Sequence, residues 1–227
     1  MNYKEPLLKQ HFVNYFIPLV VVSHFVWCSC GNKSGNRDRT NKSNYSVVTE
    51  IPRNQNGEPV SDYRITKAFQ KQAGLDSLEK GYDSLQIRIW GGHSQLLEFY
   101  LLIISKREKK WHGKLITLEY TIDPKSGVYQ FKNKRSKTVS PKSGWEVFVK
   151  RLFDFQVTSL PDMSELGYES GEDGSSYMVE VATNKSYRFY SYWSPAEYQN
   201  KYPAAKSMYS IAQFVESEFG FQFTSGH

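Results

Sequence analysis

Few side chains in this sequence have the type and spacing that catalysis or metal binding requires. His93, in the stretch GGHS, follows a strand-like segment and two glycines, so it could act as a general base. The chain lacks the common zinc, nucleophile and nucleotide-binding motifs. One segment is rich in acidic residues, namely Asp162, Glu165, Glu169, Glu172 and Asp173. Their spacing is not that of a calcium-binding loop. The sequence therefore assigns no catalytic residue, metal or cofactor.

Aromatic residues are concentrated in the stretch SYRFYSYW, residues 186–193. If this stretch is a strand, its side chains alternate between two faces, and Tyr187, Phe189 and Trp193 share one of them. A face of rings beside the Glu180 carboxylate is suited to binding a sugar or a peptide. It is equally suited to packing beneath a helix, because rings dominate both cores and interfaces. Tyr187, Phe189 and Trp193 are the candidate ligand-binding residues, and the packing alternative stays open.

The chain has two cysteines, Cys28 and Cys30, at the end of an apolar segment near the N-terminus. Residues 1–29 have a basic start, an apolar middle and a small-residue end, which are the parts of a secretory signal peptide. The apolar run is interrupted by polar residues and a proline, so it does not match a membrane span of about 20 residues. We expect residues 1–29 to be a signal peptide.

The sequence WCSC resembles the lipobox of bacterial lipoproteins, where the signal is cut just before a cysteine that receives a lipid. Cys30 fits this position better than Cys28, because it follows the small Ser29. Trp27 departs from the pattern, which usually has Leu three positions before the cut. The resemblance implies lipidation of Cys30 and attachment to a membrane outside the cytoplasm. A plain cleaved signal and an uncleaved anchor are the alternatives.

Residues 30–59 are polar and lack apolar periodicity at their start, so we expect a flexible tether there, followed by one domain over residues 60–227. The net charge is +6, and basic clusters lie at residues 106–110 and 132–137. Lysines of this kind are typical of hairpin tips and edge strands. Because the signal exports the chain, we do not expect a nucleic-acid partner.

Periodicity along residues 60–227 predicts an α+β fold. Residues 85–139 contain four strand-like segments joined by short loops, which predicts an antiparallel meander. Residues 175–193 read as a hairpin whose two-residue turn, Asn184-Lys185, places Thr183 opposite Ser186. Three helices are expected, after Ser61, after Ser143 as part of a capping box with Glu146, and over the C-terminal segment. The predicted architecture is an antiparallel sheet, a four-stranded meander plus a C-terminal hairpin, packed by two or three helices.

Three segments, residues 87–90 (IRIW), 140–163 and 187–221, resemble an uncharacterised family of lipoprotein-like proteins of Bacteroidota. The resemblance covers about a third of the chain and implies one folded domain. It carries over no catalytic residue. The leading hypothesis is a non-catalytic, lipid-anchored envelope protein that binds a partner, such as an envelope protein or a glycan, or supports an assembly. The alternative is a small envelope hydrolase that uses carboxylate or His93 chemistry.

Overall fold

One mixed, seven-stranded sheet organises the chain. A computed structural model describes residues 46–93, 97–168, 170–171 and 173–223. The expected signal peptide, Cys30 and the first part of the expected tether lie outside these described residues. The strands are β1 (Val48–Glu50), β2 (Leu85–His93), β3 (Glu98–Arg107), β4 (Lys110–Ile122), β5 (Tyr129–Val139), β6 (Ser175–Thr183) and β7 (Ser186–Trp193). The helices are α1 (Ser61–Gln72), α2 (Trp145–Asp154), α3 (Pro195–Tyr198) and α4 (Pro203–Phe219), with a 3₁₀ turn at Met163–Leu166.

The strand order across the sheet is β1-β7-β6-β2-β3-β4-β5. All neighbours are antiparallel except β1, which runs parallel to β7. The meander β2–β5 and the hairpin β6–β7 are therefore confirmed, and they join into one sheet because β6 pairs with β2. The predicted α+β class is confirmed, but the sheet is mixed rather than purely antiparallel.

Helices cover both faces of the sheet. On one face α2 and α4 contribute Phe148, Leu152, Met208 and Ile211 to a core that includes Ile87, Ile89, Val179 and Tyr190. On the other face α1 packs through Tyr63 and Phe69 over Trp90, Leu101, Tyr187 and Phe189. The strand period of two places the residues of β2, β6 and β7 alternately on the two faces. The face under α2 and α4 is apolar or aromatic, and the face under α1 combines rings with the buried Arg88 and Glu180.

The hairpin register follows the prediction from its two-residue turn. Tyr190 and Tyr192 pair with Val179 and Tyr177 on the face covered by α2 and α4. The Thr183 and Ser186 hydroxyl oxygens lie 2.8 Å apart beside the turn. Turn length alone was therefore enough to fix which ring lies on which face.

Two boundaries differ from the sequence prediction. The folded part was expected to begin at residue 60, but Val48–Glu50 already pair with β7. A three-residue strand has too little periodicity to be distinguished from a polar linker. The Ser143–Glu146 capping box is wrong, because α2 starts after Gly144 with no side-chain cap. Within the described residues, no helix is long and apolar enough to cross a membrane.

Candidate functional site

A cleft of about 1080 Å³ opens beside β7, where the short strand β1 ends. Residues 50–55 form one part of its lining, and the first turn of α1 forms another. The segment 162–168 and β7, through Arg188, Phe189 and Ser191, complete it. We call this cavity the Asp62 cleft. It brings together side chains that are more than 100 residues apart in the sequence.

A capping box fixes the segment that forms one wall of the Asp62 cleft. Asp162 caps the 3₁₀ turn by accepting from the Ser164 backbone amide, and Glu165 reaches back to accept from the Asp162 amide at 3.0 Å. The turn ends at Gly167, whose φ of 72° lies in the left-handed region that glycine adopts without strain. The motif D-x-x-E thus holds Asp162 rigidly at the edge of the sheet.

Asp162 is almost fully buried, at 1% exposure, and four donors surround its carboxylate. Oδ1 accepts from the Ser164 amide at 3.0 Å and the Ser164 hydroxyl at 2.6 Å. Oδ2 accepts from the Ser191 amide at 2.7 Å and the Ser191 hydroxyl at 3.1 Å. Four donors match an acceptor-only carboxylate. Asp162 is therefore a fixed negative charge whose oxygens are already occupied.

Asp62 lies in the first turn of α1 and is half-buried in the cleft. Burial raises the pKa of its carboxyl above the ordinary value. The neighbouring Ser191 side chain acts in the opposite direction, and the negative charge of Asp162 raises the pKa further. Asp62 is thus a carboxyl that holds its proton more strongly than a free aspartate and still reaches the cavity. Such a group can donate a hydrogen bond or a proton to a bound molecule.

Within the described part of the chain, two buried polar groups of cleft-lining residues have no hydrogen-bond partner. The Tyr168 hydroxyl is buried without one, although the Tyr168 ring stacks on Tyr198 at 4.3 Å between centroids. Nε of Arg188 is also buried and unpartnered. The other nitrogens of Arg188 are engaged, Nη1 with Glu50 and Nη2 with the Leu160 carbonyl at 2.8 Å. An unsatisfied buried donor costs about 1–3 kcal/mol, so each such group needs an explanation.

The charge around the cleft is mixed rather than of one sign. Its acids are Glu50, Asp62, Asp162 and Glu165, and its bases are Arg53, Arg64 and Arg188. Asparagine, glutamine and serine side chains add neutral donors and acceptors to the lining. This lining suits a ligand with many groups that both donate and accept hydrogen bonds.

Of the three ring residues singled out in the sequence, Phe189 borders the Asp62 cleft, whereas Tyr187 and Trp193 are not part of its described lining. Tyr187 and Phe189 are 0% and 1% exposed and belong to the core beneath α1. The Phe189 ring meets Tyr63 of that helix edge to face, with 5.3 Å between centroids. The packing interpretation therefore describes these two residues. They form no exposed platform in this structure, although Phe189 also contributes to the lining of the Asp62 cleft.

Trp193 is half-buried at the end of β7, where its ring lies 6.1 Å from that of Tyr198. It also packs so closely on Gly174 that a Cβ there would lie 2.6 Å from the indole. His93 ends β2, and its Cα pairs with that of Ser175. Neither Trp193 nor His93 lines the Asp62 cleft.

A second group of charges lies under α1 and is structural in character. Glu180 is 0% exposed, and its Oε1 accepts from Lys67 Nζ and the Tyr187 hydroxyl, each at 2.9 Å. Its Oε2 accepts from Trp90 Nε1 at 3.0 Å and lies 3.7 Å from Nη1 of Arg88. These contacts join α1 to β2, β6 and β7. These hydrogen bonds explain why a carboxylate is buried on the same face of the hairpin as Tyr187 and Phe189.

Sequence reasoning missed the residues that form the cleft. The sequence analysis placed Asp62 only at the start of a predicted helix, and Asp162 only among acids whose spacing does not match a calcium-binding loop. The D-x-x-E spacing of Asp162 and Glu165 could have identified the capping box, since it follows the same rule that was applied to Ser143. No local signal connects Asp62 with Ser191.

Comparison with known proteins adds no family assignment. No protein-family model matches the chain, and no curated protein or solved structure matches it either. The resemblance to lipoprotein-like proteins of Bacteroidota therefore stays a prediction.

Proposed function

We propose that this chain is a non-catalytic binding protein of the cell envelope that holds a glycan in the Asp62 cleft. The observation that carries the proposal is a polar cavity of about 1080 Å³ whose lining combines four acids with three arginines. A bound molecule with several hydroxyl groups would supply acceptors to the exposed guanidinium groups of Arg53 and Arg64. It would also contact the Asp62 carboxyl, which lines the same cavity.

The composition of the lining favours a glycan over a strongly charged ligand. Sugar hydroxyls donate and accept, so they can use carboxylates, guanidinium groups and amides together. Arg53, Arg64 and Arg188 face four acids in the lining, so neither a polyanion nor a polycation finds a field of one sign. The cavity volume, about 1080 Å³, is slightly above the range of about 300–1,000 Å³ that is typical of small-molecule sites.

The hydrogen bonds of the acids support binding rather than catalysis. Both oxygens of Asp162 are occupied by the four donors from Ser164 and Ser191. Glu165 accepts from the Asp162 amide, and Glu50 is paired with Arg188. Glycoside hydrolysis needs two carboxyl groups that act on one bond. Asp62 has a raised pKa and lines the cavity, but the three other acids of the described lining already hold the partners named above.

Attachment to the envelope rests on the N-terminal sequence. The signal-like residues 1–29 end in the lipobox-like WCSC, and Cys30 is the residue that would receive the lipid. Two acyl chains on one cysteine bind a bilayer stably, since each buried CH₂ contributes about 0.8 kcal/mol. A membrane-anchored domain with a sugar-binding cleft would present that cleft outside the cytoplasm.

Isothermal titration tests the binding proposal. The full-length protein in detergent is titrated with three trisaccharides, namely chitotriose, maltotriose and cellotriose. We expect one of them to bind and Arg64→Ala to weaken its affinity about tenfold, because a hydrogen bond to a charged group is lost. Arg151→Ala, an exposed arginine on α2, is the matched control and should leave the affinity unchanged. If no trisaccharide binds, or if both variants weaken binding equally, the glycan proposal fails.

Hydrolysis by the same cleft is the second candidate function, and the raised pKa of Asp62 favours it. Asp62 would then protonate the leaving oxygen of a glycosidic bond. The test is the release of reducing ends from the same trisaccharides over a day. Hydrolysis that disappears in Asp62→Asn, but persists in Asp154→Asn, would replace the binding proposal with the hydrolase.

A further inference from the structure

A second cavity, of about 640 Å³, lies at the end of α1 opposite to the Asp62 cleft. The loop after α1, residues 74–78, forms one side of it, and strands β2 to β5 form the other. Arg88 on β2 and Lys114 on β4 lie on the same sheet face, because both pair with Ile103 of β3. We call this cavity the Arg88 pocket.

Arg88 is the buried member of this pocket, at 3% exposure. Its Nε donates to Gln86 Oε1 at 2.9 Å, and its Nη2 donates to the Asp76 carbonyl at 2.9 Å. Nη1 is buried and makes no hydrogen bond within the described structure. The Arg88 guanidinium is therefore held in place by two hydrogen bonds at the buried side of the pocket.

Glu180 does not satisfy the Nη1 donor of Arg88. Its nearest oxygen is 3.7 Å from Nη1 and already accepts from Trp90 Nε1 at 3.0 Å. Burial lowers the pKa of the Arg88 guanidinium, and the Glu180 charge acts in the opposite direction. An anion bound in the pocket would, like Glu180, stabilise the positive charge of Arg88.

The charges of the lining have an excess of one sign, unlike those of the Asp62 cleft. Three lining residues have basic side chains, Arg88, Arg107 and Lys114, one is acidic, Asp76, and His112 adds an imidazole. Arg107 is positioned by the Tyr82 hydroxyl, to which its Nε donates at 2.5 Å. Serine and threonine side chains add hydroxyl donors, and they are Ser77, Ser105 and Thr138.

We propose that the Arg88 pocket binds a phosphate group. A phosphate carries several acceptor oxygens around one centre, and it matches a set of guanidinium, ammonium and hydroxyl donors arranged around a concave site. A single carboxylate would use fewer of these donors. The group could belong to free inorganic phosphate or to the headgroup of a phospholipid, which an anchored protein would meet at the membrane.

The test uses rim residues, because the exposed Lys114 and Arg107 can change without disturbing the core. The full-length protein is titrated with inorganic phosphate at low ionic strength, where charge interactions are least screened. We expect millimolar or tighter binding that Lys114→Gln and Arg107→Gln each weaken at least fivefold. Lys125→Gln, an exposed lysine in the β4–β5 turn, removes the same charge outside the pocket and should have no effect.

Two results would overturn the proposal. One is the absence of phosphate binding, and the other is an equal loss of affinity in Lys125→Gln, which would show that net charge alone attracts the anion. Arg88→Gln is a further variant, and its thermal midpoint should no longer rise when phosphate is added.

Vesicles then distinguish the two sources of phosphate. Sedimentation with phosphatidylcholine vesicles is compared with sedimentation when phosphatidic acid is included, for the Cys30→Ala protein. A gain with phosphatidic acid that Lys114→Gln abolishes identifies a lipid headgroup. Phosphate binding without that gain identifies the free anion. The Asp62 cleft does not contribute to either result, so the glycan proposal and this one fail independently.

Discussion

Ser191 donates both its backbone amide and its hydroxyl to the same carboxylate oxygen of Asp162, at 2.7 and 3.1 Å. β1 pairs with β7 only as far as Arg188. Beyond Arg188, the Asp162 carboxylate accepts a hydrogen bond from the Ser191 backbone amide, as a neighbouring strand would otherwise do. One aspartate therefore closes the sheet edge and supplies the negative charge next to Asp62.

Replacing Asp162 should destabilise the fold. Asp162→Ala leaves the buried amide and hydroxyl of Ser191 and the Ser164 amide without acceptors, and we expect a loss of about 2–4 kcal/mol. Urea unfolding followed by circular dichroism measures it. Asp154→Ala, at an exposed position on α2, should change stability by no more than about 0.5 kcal/mol. Equal effects of the two variants would contradict the role given to Asp162.

Asp62 should make the protein less stable as the pH rises through the acidic range. Because the folded state raises the pKa of Asp62, it binds the proton more tightly than the unfolded chain does. The contribution of Asp62 to the free energy of unfolding is therefore greatest below the pKa of the unfolded chain, about 3.9. This contribution is lost as the pH rises through the pKa of the folded state. Asp62→Asn cannot titrate, so it should match the wild type near pH 3 and exceed its stability at pH 7.

The measurement is the urea midpoint of Asp62→Asn and wild type at intervals from pH 3 to pH 7. Asp76→Asn, in the exposed loop after α1, is the control and should run parallel to the wild type. A variant that is less stable than wild type at pH 7 would show that Asp62 stabilises the fold and is not kept for binding.

Glu180 should contribute much more to stability than one of its hydrogen bonds. Glu180→Ala leaves Lys67 and Arg88 without their shared buried carboxylate, for which we expect a loss of about 3–5 kcal/mol. Tyr187→Phe removes one donor to Glu180 and keeps the ring, so it should cost about 1 kcal/mol. Thermal unfolding compares them. Similar midpoints for the two variants would mean that the buried charges do not depend on Glu180.

Cys30 should determine membrane attachment. The wild-type protein, expressed in a bacterium with a lipoprotein-processing pathway, should carry the mass of a lipidated Cys30 as its first residue and sediment with membranes. Cys30→Ala should lose the lipid mass and move to the soluble fraction, whereas Cys28→Ala should behave as wild type. Finding Met1 on the mature wild-type protein would contradict the signal peptide as well as the anchor.

Sequence patterns predicted the parts of this fold that depend on local periodicity. Helical spacing predicted one apolar face of α4. Its residues Met208, Ile211, Ala212 and Val215 are buried, and Phe219 on the same face is half-buried. The faces of β7 followed from the turn at Asn184. The sequence does not predict which face of the sheet α1 covers, because that depends on contacts between residues that are far apart in the chain.

The candidate site depends on contacts that leave no local trace. Asp62, Asp162 and Ser191 come from a helix, a 3₁₀ turn and a strand that are far apart in the sequence. Each has an ordinary local explanation, as a helix start, a cap and an alternating strand residue. The packing of α1 and of the 3₁₀ turn against β7 brings the three together.

The most direct test of the central claim is an NMR titration of ¹⁵N-labelled full-length protein with the trisaccharide that binds most tightly. We predict that the largest amide shift changes fall in the Asp62 cleft, at Asp62, Ser164, Gly167 and Ser191, and that they require higher sugar concentrations in Asp62→Asn. Shift changes centred on α4 or β5 instead, or no saturable change with any of the three sugars, would contradict the account.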